Sequence, residues 1–265
     1  PRGREIVKHG IDFVSPKGRF ARSVNVERDV GAPSIESYLP TGRALDVISR
    51  VARCLDDQPR TRAFSITGPY GTGKSSLAVF LDALLGPEQN SATEVALGVL
   101  RAVDPTDADL IERSKSAYGP NGFIRAVITS TREPVSATLV RALLHGMERF
   151  NGPARRGAWK TVLRSLDEAV KALDSVDAVL PSNRFIRDAL QAVAEIAPVL
   201  LVIDEFGKNL EAFADSQSEA DLYLLQELVE WSHDPDEGCP VIIVTMQHLA
   251  FEEYLDSVTQ TLRRE

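Results

Sequence analysis

Residues 68–75 read Gly-Pro-Tyr-Gly-Thr-Gly-Lys-Ser, the residue types and spacing of a loop that cradles phosphates, the Walker A pattern. Gly68, Gly71 and Gly73 let the backbone take positive φ and turn successive N–H groups toward phosphate oxygens. The ammonium of Lys74 is expected on the β and γ phosphates of a nucleoside triphosphate, and the hydroxyl of Ser75 on Mg²⁺. Pro69, Tyr70, Thr72 and Ser76 complete the set expected to contact the nucleotide. Context supports the motif. Ala63 to Thr67 is a β-prone run ahead of the loop; behind it, Leu77, Phe80, Leu81, Leu84 and Leu85 recur at helical spacing until Gly86-Pro87. The following helix would point its positive end at the same anion.

A second chemical pair lies far downstream. Val199 to Ile203 is an unbroken apolar run that ends in Asp204-Glu205, which reads as a buried parallel strand delivering two carboxylates to the carboxyl edge of a sheet. Asp204 is expected in the Mg²⁺ shell, through water, and Glu205 as the general base that polarises an attacking water. A third apolar strand, Val241 to Met246, ends in Gln247-His248. His248 is expected to cap or pack near a helix spanning Leu249 to Leu262.

An apolar strand ending Asp-Glu, set against GPYGTGKS, resembles the additional-strand, catalytic-Glu branch of P-loop ATPases, which includes the AAA+ and STAND families. The resemblance implies an α/β fold with a parallel β-sheet P-loop NTPase core, ATP and Mg²⁺ as cofactors, and ATP hydrolysis that drives an oligomeric motor or switch. By the same resemblance, Thr245 and Gln247 match the sensor 1 position beside the γ-phosphate, against ordinary capping of a strand end. Ile35, Tyr38, Leu39 and Pro40 match the segment that contributes to an adenine pocket, against ordinary packing. Arg263 and Arg264 lie roughly where many AAA+ proteins carry an arginine finger, against ordinary surface charge. TGPYGTGKSSL together with LVIDEFGKNLE also looks like large multidomain bacterial ATPases, some associated with phage defence. The implied assembly is a homo-oligomer, with protein or nucleic-acid partners engaged through regions outside this chain. A nucleotide-gated scaffold with little intrinsic hydrolysis is the alternative. A kinase fits less well, since the Asp-Glu strand end has no place in one.

Composition is that of an ordinary soluble globule: 265 residues, 43% hydrophobic and 26% charged. No apolar run is long enough for a membrane span and no targeting segment opens the sequence. Cys54 and Cys239 have no metal-site spacing and suit a reducing cytoplasm. The net charge of −8 is unevenly spread: residues 1–62 hold 12 basic and 8 acidic side chains, residues 201–265 hold 3 and 15. Opposite ends could meet head to tail in a ring, though solvated acidic helix faces explain the pattern as simply. A pI near 5.2 argues against non-specific DNA binding.

The elements that must position these groups divide the chain into an arm and leading helix (1–62) and an ATPase core (63–265). The arm contains one alternating run, Ser23 to Glu27, read as an edge strand. Thr41 caps a helix to Leu55. A strand is expected over Phe123–Thr129, and a helical insertion over about 135–197 contains Val135–Phe150, Ala158–Leu173 and Asn183–Ala197. Arg149, Arg155, Arg156, Lys160 and Arg164 near Trp159 form the one basic run suited to nucleic acid, against a solvated loop. The sequence opens without Met and stops inside a helical pattern, so a lid and further domains are expected beyond residue 265.

Overall fold

The computed structural model describes residues 24–55, 61–150, 157–216, 219–233 and 239–250. Four parallel strands, β1 (Ala63–Thr67), β2 (Ile124–Thr129), β3 (Val199–Asp204) and β4 (Val241–Gln247), form one sheet in the order β1-β4-β3-β2. The β-branched and aliphatic runs of β2, β3 and β4 are those of strands covered on both faces, and β3 is buried at every residue, whereas edge strand β1 is only half-buried, with Ser65 and Thr67 exposed. The α/β fold with an all-parallel sheet is that of a P-loop NTPase core.

Register divides the sheet into two faces. Val127, Leu200, Val202, Ile242, Val244 and Met246 join one apolar cluster with α2 (Gly42–Cys54), α3 (Lys74–Leu84), α4 (Ser91–Val103) and α5 (Pro105–Ala117). Ile124, Ala126, Leu201, Ile203, Val241 and Ile243 join a second cluster with α6 (Val135–Arg149), α7 (Gly157–Leu173), α8 (Asn183–Ala194) and α10 (Glu219–Ser232). The order of elements makes this an αβα sandwich. Close packing of α6 on β2 depends on Gly146, where a Cβ would lie 2.9 Å from the Ala126 backbone.

The helix after Thr41 forms as expected, with the Thr41 hydroxyl accepting the Ala44 N–H at 3.3 Å. The stretch between α3 and β2, to which the sequence reading assigns no element, forms α4 and α5. Both have side-chain caps, Asn90 and Asp104. A short α1 (Ala32–Ile35), α9 (Gly207–Ser216) and α10 are likewise beyond that reading. Residues 24–27 are no strand. Asn25 accepts the N–H groups of Glu27 and Arg28 on its side chain while Asp29 accepts the N–H of Asn25, so a local turn wins over extended pairing. Val26 is nonetheless fully buried in the first cluster.

Arg149 does not belong to a solvated basic run. It donates two hydrogen bonds, at 3.1 and 3.0 Å, to the carboxylate of Asp82, which is buried in α3 and also takes Arg125 of β2 at 3.0 Å. Lys160 and Arg164 are exposed, Trp159 is buried against Phe150, and Arg155 and Arg156 lie outside the described residues. Removing the Asp82 carboxylate leaves two cations facing each other in a desolvated site. Asp82→Ala is expected to cost about 3 kcal/mol of stability, seen as a lowered midpoint in chemical denaturation.

Candidate functional site

Parallel pairing brings four strand ends to one edge of the sheet. Thr67 lies beside Gln247 and Thr129 beside Asp204 in the register. The last carbonyls of β4 then reach both ways: Gln247 O accepts from Gly68 N at 3.2 Å and Met246 O from Phe206 N at 2.8 Å. This brings the Gly68–Ser76 loop, Asp204, Glu205, Gln247 and His248 together.

Two of the three loop glycines have the expected positive φ; Gly68 does not, because its N–H continues the ladder to Gln247 O. Gly71 and Gly73 sit at φ 78° and 86°. Gly73 precedes α3, whose first turn has no side-chain cap and no acidic residue. Its N–H groups are therefore exposed donors at the positive end of a helix, and this fits an anion. Thr72 closes the loop by donating to Pro69 O at 2.9 Å. Ser75 and Ser76 are half-buried in the first turn of α3. Lys74 is folded back over the loop mouth: its ammonium donates to Gly68 O at 2.5 Å and Pro69 O at 3.0 Å. Burial pushes its pKa down, and the charges of Asp204 and Glu205 push it back up.

His248 lies on the loop: its ring stacks on Tyr70 with centroids 3.3 Å apart, and its Nδ1 is 3.3 Å from the Lys74 ammonium. An ammonium cannot accept, so Nδ1 accepts and the ring proton resides on Nε2. That Nε2 is buried without a hydrogen-bond partner. The signal was available in its position directly after the third strand. Residues 251–262 of the helix expected beside it lie outside the described residues, as do Arg263 and Arg264.

Asp204 is buried at 4% exposure, with Oδ1 accepting the N–H of Glu205 at 2.9 Å. Glu205 occupies the left-handed region at φ 55°, which costs a non-glycine residue about 1–2 kcal/mol. Its carboxylate pairs with Lys208 in the first turn of α9. Thr245 and Gln247 alternate with Met246, and so fall on the sheet face of Ile243, opposite the face of Val202 and Asp204. Thr245 is half-buried between Ser65 and Ile203, while Gln247 is buried with Oε1 lacking a partner.

Beside the loop lies a cavity of about 350 Å³, bounded by Val24, Ile35, Tyr38, Val47, Leu77 and, from the loop, Gly68, Pro69, Thr72, Gly73 and Lys74. The Tyr38 ring packs on Phe80 of α3 at 4.6 Å, and burial pushes its phenol up to about 12. Leu39 lines the rim and is largely exposed, whereas Pro40 does not line the cavity. An apolar recess joined to a ring of outward N–H donors fits a base and its phosphates. The unpartnered Gln247 Oε1 and His248 Nε2 fit polar groups arriving at the same edge.

These features define an α/β chain with P-loop geometry at the carboxyl edge of a parallel sheet. Over 156 residues it is 25% identical to the Energy-coupling factor transporter ATP-binding protein EcfA1 of Lactobacillus johnsonii (strain CNCM I-12250 / La1 / NCC 533), covering 58% of this chain. The chain spans about half the length of that relative, 51%. No protein-family model matches the chain, and no solved structure matches it. Among the described residues no helix is long and apolar enough to cross a membrane.

Burial first, and then the charge of Lys74, hold the His248 imidazole below its ordinary 6.5, against the opposing pull of Glu205, Gly68 and Asp204. The folded state thus binds this proton more weakly than the unfolded state. Stability from this group is fully present above pH 6.5 and is lost as pH falls through that value toward the folded pKa. Lys74→Met should raise the His248 pKa while burial keeps it below 6.5. NMR titration of the imidazole checks the contact, and an unchanged midpoint in the variant would show that the two groups do not interact.

Proposed function

We propose that the chain binds ATP with Mg²⁺ in this site and hydrolyses it, and that hydrolysis drives an oligomeric motor or conformational switch of the additional-strand, catalytic-Glu branch. The observation that carries the reading is the convergence of the Gly71–Gly73 loop, Lys74, Asp204 and Glu205 on one sheet edge. Placement of β4 between the strands of the two motifs supports the branch. The relative's name, an ATP-binding protein, supports the ligand.

In this reading Lys74 leaves its carbonyl partners for the β and γ phosphates, and Gly71 through Ser76 line the phosphates with backbone donors. Tyr38 and Ile35 cover the base. Ser75 and Asp204 hold Mg²⁺, which neutralises charge on the phosphates when bound. Glu205 takes the proton of the attacking water. Gln247 Oε1 accepts from the attacking water and the Nε2–H of His248 donates to a phosphate oxygen, with Thr245 behind them. The cytoplasm and antiviral defence remain the setting proposed from the resemblance.

The Glu205–Lys208 pair favours a second reading, the nucleotide-gated scaffold, because a base already engaged by an ammonium turns over slowly. Turnover decides between them.

Lys74→Ala should remove most ATP affinity by deleting the phosphate-facing charge. Unchanged calorimetric binding would refute the site. Glu205→Gln keeps shape and hydrogen bonding but accepts no proton, so binding should persist while phosphate release falls by about 10²- to 10⁴-fold. Asp204→Asn should weaken Mg²⁺-dependent binding as well. Completion of the site by an Arg from a neighbouring copy would make activity per molecule rise with protein concentration and fall with salt, which screens the basic and acidic ends. Flat specific activity over a hundredfold dilution, with a monomeric mass by light scattering, would leave the monomeric scaffold.

A further inference from the structure

We infer that Lys208 is a positioning residue that restrains basal hydrolysis by holding the carboxylate of Glu205. The inference rests on the proposed role of Glu205 as general base. Within residues 201–265 the basic side chains are Lys208, Arg263 and Arg264, set against 15 acidic ones. This one cation in the described part of an acid-rich stretch is three residues from the proposed base and pairs with Glu205 Oε2.

The backbone builds the contact. Glu205, at φ 55°, turns the chain sharply after β3, and Lys208 N closes the turn by donating to Glu205 O at 3.0 Å. The next residue, Asn209, is fully buried and fixes the start of α9. Its Nδ2 donates to Glu133 O and Thr138 Oγ1, both at 2.8 Å, and its Oδ1 accepts from Ser130 at 2.5 Å. Ser130 in turn accompanies Asp204 through its backbone, Ser130 N to Asp204 O at 2.8 Å. The locked turn thus sets the Lys208 and Glu205 backbones one turn apart, within reach of the side-chain pair.

An oxygen that already accepts from an ammonium has one fewer lone pair with which to align a water. The Lys208 side chain is 44% exposed and that of Glu205 34%, so the restraint is weak and a competing anion can draw Lys208 away. The arrangement sets a low resting rate while leaving nucleotide contacts alone, because Lys208 does not line the nucleotide cavity.

The test is steady-state ATP hydrolysis by the full chain and its Lys208→Met and Lys208→Arg variants, each in the parent and the Glu205→Gln background. Lys208→Met should raise kcat about fivefold, the size of one exposed ion pair, with KM for ATP unchanged. Lys208→Arg, which keeps the charge, should behave like the parent. In the Glu205→Gln background Lys208→Met should add nothing. A kcat for Lys208→Met equal to or below the parent's would overturn the inference, as would the same rise in the Glu205→Gln background. If the parent shows no turnover, the appearance of turnover in Lys208→Met supports the restraint and continued silence refutes it. The two readings fail separately: parent-like turnover in Glu205→Gln removes the general base and this inference with it, whereas a strong Glu205→Gln loss with a flat Lys208→Met removes the restraint alone. Circular dichroism melting of Lys208→Met should match the parent, as expected for a half-exposed side chain.

Discussion

The last two carbonyls of β4 are the constraint on which the site depends. One holds the first residue of the phosphate loop, Gly68, and the other holds Phe206, immediately after the acidic pair. A parallel strand placed between two others offers hydrogen bonds to both sides, and β4 uses this at its final residues, where loops take over from the ladder. The glycine loop and the carboxylates, 130 residues apart in sequence, thereby share one template. A slip of one residue in β4 would shift both and would also exchange Gln247 for His248 on each face.

The two lysines of the site take protein partners of different kinds. Lys74 neutralises nothing in the loop; it donates to two carbonyls and to an imidazole, while Lys208 takes the carboxylate of Glu205. Charged donors on neutral acceptors are weaker partners than a charged phosphate would be, so Lys74 has more to gain from an anion than it loses. Glu205 is different, since its partner already bears full charge. The two halves of the site therefore respond unequally to an anion: the Lys74 half is poised to exchange its partners, and the Glu205 half is held.

Much of this was legible in the sequence because the relevant signals are local. GPYGTGKS fixes a backbone through its glycines, and Val199–Asp204 declares a doubly covered strand by having no polar residue before its end. The family resemblance also nominates Ile35 and Tyr38 for an adenine pocket, and both line the cavity. Other features depend on three-dimensional contacts. The turn at Asn25 defeats an alternating pattern that periodicity reads as a strand, because side-chain acceptors two to four residues away compete with pairing. His248 directly follows β4, and the pairing of β4 with β1 brings it to the loop. Arg149 looks like surface charge in the sequence and is an internal partner, because Asp82, 67 residues earlier, is buried on the inner side of α3.

That Asp82 contact also crosses the sheet. Asp82 belongs to the helix that follows the phosphate loop, Arg125 to edge strand β2, and Arg149 to the end of α6 on the other face. A carboxylate with two guanidinium partners in a desolvated place has few alternative arrangements, since any one group displaced leaves the others uncompensated. The far end of α3 is thus fixed to the α6 layer, while its near end carries loose glycines. The ionic joint ties the layer that carries the phosphate loop to the layer on the opposite face of the sheet.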